Sequence, residues 1–168
     1  MNTMTEDGLR SFQQLVTEAL SEEKIKGIII TSGTVDFSGG MDLSTLEALK
    51  RNSGSDPASK IFDYIMEAHG LLRKIELGRI DDTSKSKPVA FAGSGICAGI
   101  GTEIGLACHR RFLSSSKNSK IGLPEILVGL FPGLGGTTRV PRMMGLMGAS
   151  SVLLEGKLFT SNKAKSIG

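Results

Sequence analysis

Tryptophan is absent, tyrosine occurs once, and aromatic side chains make up only 5% of the 168 residues. That leaves little from which to build a base-stacking platform. Lys and Arg total 20 against 17 acidic residues and fall as single residues or pairs, so no basic track for nucleic acid emerges. A net charge of +3 admits an anionic small ligand without demanding one. Cysteine is scarce too. Cys97 and Cys108 stand in apolar surroundings at no metal-ligand spacing and make no disulfide framework; reduced core thiols, a cytoplasmic setting and no metal site are expected. No apolar run reaches membrane-spanning length. The polar, acidic start Met1-Asn-Thr-Met-Thr-Glu-Asp7 lacks the basic residues and apolar stretch of a secretion signal.

What is present suits a single domain over residues 1–168, since 39% hydrophobic content is enough for one core of ordinary size. Thr3 and Glu6 have capping-box spacing, and Leu9, Phe12, Leu15, Val16, Ala19 and Leu20 recur at helical intervals behind them. Gly27 introduces Ile28 to Thr31, a β-branched apolar run of the kind buried on both faces of a sheet. Helical spacing resumes from Leu43 to Leu49. Asn52 to Pro57 reads as a surface loop. A long helix is expected through Ile61, Tyr64, Ile65, Ala68, Leu71, Leu72 and Ile75, with Gly78 as its stop. Pro88 precedes a second buried-strand run, Val89 to Ala92. A helix from about Gly101 to Cys108, an extended stretch at Phe112-Leu113, and helices near 137–144 and 149–154 follow. Short strands alternating with helices predict an α/β fold with mainly parallel strands, whose ligands gather at the carboxyl ends of strands. His69 and His109 have no nucleophile partner, and Met143, Met144 and Met147 read as core or interface filler.

Two glycine-rich stretches after apolar runs each contain a glutamate, Glu103 and Glu125. A carboxyl in a glycine-lined apolar pocket loses hydration and gains proton affinity, which fits it for acid–base work near neutral pH. The residues taken one at a time also allow plainer readings. The glycines at 39, 40, 99 and 101 serve for tight turns, Glu103 for an exposed first helical turn, and Pro124-Glu125 for an ordinary helix start. Gly93-Ser-Gly95 lacks nucleophile-elbow spacing. Gly99-Ile-Gly101 is followed by Ile104 where a dinucleotide fingerprint needs glycine.

The ordered set Phe37-Ser-Gly-Gly-Met-Asp42, Lys87-Pro-Val-Ala90, Gly99-Ile-Gly-Thr-Glu103, Gly122-Leu-Pro-Glu125 and Phe131-Pro-Gly-Leu-Gly-Gly-Thr-Thr-Arg139 resembles the crotonase (enoyl-CoA hydratase/isomerase) superfamily along nearly the whole chain. The segment Ser114 to Ser119 between the two glutamates, and Val140-Pro-Arg-Met-Met-Gly145, are similar to the amino-terminal hydratase part of multifunctional fatty-acid oxidation enzymes. The resemblance implies a spiral of repeated β-β-α units, here incomplete at both ends, and assembly as trimers or paired trimers. It implies hydration of 2-enoyl-CoA to 3-hydroxyacyl-CoA, with a fused or associated 3-hydroxyacyl-CoA dehydrogenase and no cofactor beyond the coenzyme A of the substrate. Glu103 would deprotonate water and Glu125 exchange a proton at the α carbon. The backbone amides of Met41 and Ile100 would hold the thioester oxygen, an arrangement worth roughly 3 to 4 kcal/mol in a dry site. Gly39, Gly40, Asp42, Gly99, Gly101, Pro132 and Gly133 would line the substrate. Ile100 departs from the usual glycine and would set a β-branched side chain beside the thioester. Double-bond isomerisation and a non-catalytic acyl-CoA-binding or oligomer-forming module are the alternatives.

Overall fold

The computed structural model describes residues 2–51, 54 and 56–167. Helix α1 spans Glu6–Ser21 and is capped by Thr5, whose hydroxyl accepts from the Gly8 amide at 3.1 Å. The cap therefore falls two residues after the Thr3 expected from the capping box. Met4 explains the shift. Its amide donates to Gly40 O and its carbonyl accepts from Asp42 N, both at 2.9 Å, which keeps the chain extended up to residue 4. Leu9, Val16 and Leu20 of α1 are buried, whereas Leu15, expected on the same stripe, is exposed.

Strands pair in two sheets that follow the chain's repetition. The first strands of successive turns, β1 (Ile28–Thr31), β2 (Val89–Gly93) and β4 (Arg110–Leu113), form a parallel sheet in the order β1-β2-β4. The second strands, β3 (Ile96–Ala98) and β5 (Lys120–Gly122), pair in parallel, and β6 (Leu158–Thr160) joins β5 antiparallel. A parallel bridge from Ser38 to Cys97 continues that sheet toward the loop after β1. Helix α2 (Leu43–Arg51) and the long α3 (Pro57–Leu77) follow the first turn, α4 (Ile100–Ala107) the second, and α5 (Gly136–Leu153) the third. A short α6 (Ser161–Ile167) comes last. Of the loop expected over residues 52–57, Asn52, Ser53 and Ser55 lie outside the described residues, and Pro57 already begins α3 behind the Asp56 cap.

Gly78 stops α3 as expected. It is left-handed at φ 64°, and a Cβ there would run into Lys87 O. Gly145, at φ 73° and ψ 167°, breaks α5 between the two helices expected there. The main core sets Phe91, Val89 and Ile30 against Leu71, Leu72 and Ile75 of α3 and Ile104 and Ala107 of α4. Each of the large aliphatic or aromatic side chains so buried contributes about 1.5 to 3 kcal/mol. Gly105 lets the Phe91 ring lie flat against α4, since an added Cβ would come within 3.2 Å of it.

Burial of the parallel strands on both faces is not what the structure shows. Ile30 and Phe91 point into the core, but Ile29 is 72% exposed and Phe112 is exposed with it. The face of Ile30 and Phe91 packs with α3 and α4 in the main core, and the exposed Ile29 and Phe112 lie on the opposite face. A second core joins Leu123, Val140, Ala149 and Val152, with Met144 packed against it, while Met143 and Met147 are exposed.

Candidate active site

The site is assembled where the second sheet ends. Ser38 N donates to Ile96 O at 3.0 Å and Ala98 N to Ser38 O at 2.8 Å, so Phe37 to Gly40 runs beside β3 and both chains turn away together. The two turns need their glycines. Gly40 has φ 105°, and Gly99 caps α4 at φ 56° and ψ −128°, a conformation open essentially to glycine alone. A Cβ on Gly99 would stand 3.2 Å from Gly40 Cα and 3.4 Å from Glu125 Oε1, which puts the two glycine turns and one carboxylate side by side. Gly101 is closed from the other direction, because its Cβ would lie 2.6 Å from Ser38 Cβ.

Met41 and Ile100 each follow one of these glycine turns. The Gly40 amide donates to Ser38 Oγ at 3.1 Å and the Gly39 amide to Asn2 O at 2.6 Å. Among the described residues, the amides of Met41 and Ile100 donate to nothing. Ile100 opens α4, so its free N–H sits at the positive end of a helix. Its side chain is buried in the main core, and among the described residues none other than glycine has positive φ, so isoleucine is held there without backbone strain.

Glu103 lies one turn into α4 and is 2% exposed, which overturns the plain reading of an exposed first-turn acid. Its Oε1 accepts from Leu134 N at 2.8 Å and Gly136 N at 2.9 Å, so the carboxylate also caps the start of α5. Burial raises its pKa, opposed by the Gly136 and Leu134 amides and by the charge of Arg139. Glu125 opens a 3-10 turn over Glu125–Val128, with Pro124 at the cap rather than inside the helix. Its carboxyl is pushed up to about 7, chiefly by burial; its own amide opposes the rise and the negative Glu103 adds to it. Glu125 Oε2 is buried with no hydrogen-bond partner among the described residues. One carboxyl is thus fixed by two amides, and the other is poised to gain or lose a proton near neutral pH.

The remaining predicted residues divide into walls and supports. Pro132 is buried against the start of α5, where a Cβ on Gly136 would come within 2.9 Å of it, and a Cβ on Gly133 would make only an ordinary contact with Phe131 O at 3.9 Å. Asp42 accepts from Ser44 N at 2.9 Å and Ser44 Oγ at 2.7 Å, so the bonds shown for its side chain cap α2. Those bonds hold its carboxyl below the usual value. Three further residues carry the geometry without having been singled out from the sequence. Ser38 occupies the Gly40 amide, and Thr102 Oγ1 lies 2.8 Å from both Cys97 O and Gly122 O, tying α4 to β3 and β5. Arg139 donates to Leu134 O at 3.1 Å. The two adjacent glycines 135 and 136 before a helical run were the available signal for an anion-accepting helix start.

His109 is structural, its Nδ1 accepting from Val89 N at 3.0 Å. Both cysteines are free and buried, and burial pushes each thiol up to about 12. A cleft of about 690 Å³ lies against Thr102 and Leu106 on a different face of α4 and contains neither glutamate. Among the described residues no three His, Cys, Asp or Glu side chains gather as a metal site, and no helix is long and apolar enough to cross a membrane.

The sequence profile of the enoyl-CoA hydratase/isomerase family matches residues 1–168. The chain belongs to that family. Within it, the chain is 34% identical over 169 residues to the fatty acid oxidation complex subunit alpha of Shewanella frigidimarina, covering 100% of this chain and 22% of that protein. It is 32% identical over 170 residues to the glyoxysomal fatty acid beta-oxidation multifunctional protein MFP-a of Cucumis sativus, covering 100% of this chain and 21% of that one. The enoyl-CoA hydratase of Thermoplasma volcanium superposes with a TM-score of 0.81 at 25% identity, covering 99% of this chain and 60% of that structure. The chain thus spans about a fifth of the length of these multifunctional relatives. The crotonase fold of the hydratases is the fold seen here, its β-β-α turns being β2-β3-α4 and β4-β5 with the 3-10 turn and α5.

Proposed function

We propose that this chain adds water across the double bond of 2-enoyl-CoA thioesters, as a hydratase of fatty-acid β-oxidation. The observation that carries the reading is Glu125: its Oε2 is buried with no partner among the described residues, and its Oε1 faces the Gly99 turn that Gly40 also touches, each of these two glycines immediately preceding one of the undonated amides, Ile100 and Met41. The thioester oxygen accepts from those two amides, which draws electron density from the β carbon and stabilises the enolate-like charge. Glu103, with Oε1 held by Leu134 and Gly136, uses its other oxygen to take a proton from water as the water oxygen bonds to the β carbon. Glu125, protonated near neutral pH, delivers its proton to the α carbon. Water supplies both the hydroxyl and, after the two carboxyls re-equilibrate with solvent, the hydrogen. Gly39, Gly40, Gly99, Gly101, Pro132 and Gly133 form the wall along which the acyl thioester lies, with Asp42 at its edge.

The relatives' names, a subunit of a fatty acid oxidation complex and a multifunctional β-oxidation protein, support a hydratase that works beside further activities. A fused or associated 3-hydroxyacyl-CoA dehydrogenase would consume the product, and assembly as trimers or paired trimers belongs to the same reading. Two reduced, buried thiols suit a cytoplasmic setting. The test is loss of the conjugated thioester absorbance with crotonyl-CoA and longer 2-enoyl-CoA substrates, with Glu103→Gln and Glu125→Gln alongside. Turnover by the wild-type chain that either substitution lowers by about 10²-fold or more supports hydration. Turnover of 3-enoyl-CoA only would transfer the same carboxyls to double-bond isomerisation, and tight binding without product would indicate a binding module.

A further inference from the structure

The contacts around the Glu103 carboxylate continue one step outward. Leu134 is bonded on both sides: its amide donates to Glu103 Oε1 at 2.8 Å, and its carbonyl accepts from Arg139 Nη1 at 3.1 Å. Gly135 between them is left-handed at φ 101°, and a Cβ there would collide with Arg139 Nη1, so the loop is wrapped onto the guanidinium. Arg139 is itself held. Its Nε lies 3.5 Å from Glu76 Oε1 of α3, close enough to pair as ions though not aligned as a hydrogen bond, and its side chain is only 14% exposed. Glu76 in turn takes Arg73 Nη1 at 2.7 Å. Burial pushes Glu76 up, but the two guanidiniums outweigh it and hold its carboxyl below the ordinary value. The charged groups around Glu103 are therefore Arg139 from α5 and Glu125 from the 3-10 turn, and those around Arg139 are Glu103, Glu76 and, through Glu76, Arg73.

We infer that Arg139, anchored by Glu76, is a positioning residue for Glu103: it fixes the Leu134–Gly136 amides that orient the carboxylate. Its positive charge also favours the ionised form of that carboxylate. Arg139 belongs neither to the glycine-lined wall nor to the two carboxyls that move protons; it acts through the loop. The kinetic part of this inference rests on the hydratase reading, whereas the titration of Glu103 does not.

Two readouts separate the roles. In a Glu125→Gln background, the carboxyl of Glu103 is followed by 13C NMR across pH, with Arg139→Met, Arg139→Lys and Glu76→Gln compared with the parent. In chains that otherwise keep Glu125, the pH profile of crotonyl-CoA hydration is measured. Loss of the positive charge in Arg139→Met raises the Glu103 pKa further, because that charge opposes the rise that burial causes. The disordered amide pair lowers kcat by on the order of 10²-fold, with KM changed by less than about twofold. Arg139→Lys restores the titration but not kcat, because an ammonium keeps the charge and loses the planar fork. Glu76→Gln, which keeps its volume on α3, lowers kcat through a loosened Arg139. A folded Arg139→Met chain with an unchanged Glu103 titration overturns the inference, as does full kcat in both Arg139 variants. If the wild-type chain turns over no enoyl-CoA, the hydratase reading falls, and the NMR titration alone decides whether Arg139 governs Glu103.

Discussion

Replacing Glu125 with glutamine should spare the fold a loss of stability that wild type suffers as pH rises, while removing turnover. The carboxyl rises from 4.5 to about 7 because burial disfavours its charge, with Glu103 adding repulsion. A raised carboxyl binds its proton more tightly in the folded state than in the unfolded state, so its contribution is full below 4.5 and is lost as pH climbs through about 7. Between about pH 5 and about pH 8 the integrated loss is roughly 2 to 3 kcal/mol, reduced to about 2 kcal/mol because the group is only partly buried and solvent screens it. Glutamine cannot ionise and escapes that loss. Its amide has its own cost beside an oxygen position that lacks a partner, but that cost is common to both pH values and cancels in the comparison. Urea unfolding of wild type and Glu125→Gln at the two pH values measures the double difference. The variant should gain about 2 kcal/mol on wild type as pH rises from about 5 to about 8, while crotonyl-CoA hydration falls at both. A gap between the chains that stays constant with pH would mean that Glu125 is not held protonated by its surroundings, and the proton delivery assigned to it would fall with that result. Because Glu103 and Glu125 interact, the measured midpoint belongs to the pair.

Gly101→Ala would force a Cβ to 2.6 Å from Ser38 Cβ, which has no flexible end to swing away. We expect a loss of about 1 to 3 kcal/mol by urea unfolding, with a fall in kcat larger than that of Gly133→Ala, whose Cβ would make only an ordinary contact with Phe131 O. Cys97 and Cys108, both buried with thiols pushed up to about 12, should resist a disulfide reagent in the native chain and react together once denaturant unfolds it; prompt native labelling of either would contradict the core packing.

The long elements could be read from the chain alone because each carried its own signal. Seven apolar positions at helical spacing and a glycine stop describe α3, and a β-branched run after Pro88 describes β2, without reference to anything distant. Strands β3, β5 and β6 were not legible for the opposite reason. Each has three residues, and each exists through pairing partners twenty or more residues away. The same distinction separates the two glutamates' identity from their chemistry. Their glycine-rich surroundings marked them as site residues, yet whether Glu103 faces water or the interior depends on Leu134 and Gly136, thirty-odd positions later, donating to its Oε1. A carboxylate at the first turn of a helix is ordinarily favoured by the dipole of its own helix. Here Glu103 instead serves the start of another helix, α5, and accepts burial in exchange for two fixed amides. That places its orientation under the control of whatever fixes the 134–136 loop, which is why Arg139, readable in the sequence only as one more basic residue after a pair of glycines, becomes the side chain on which the geometry of the acid–base pair depends.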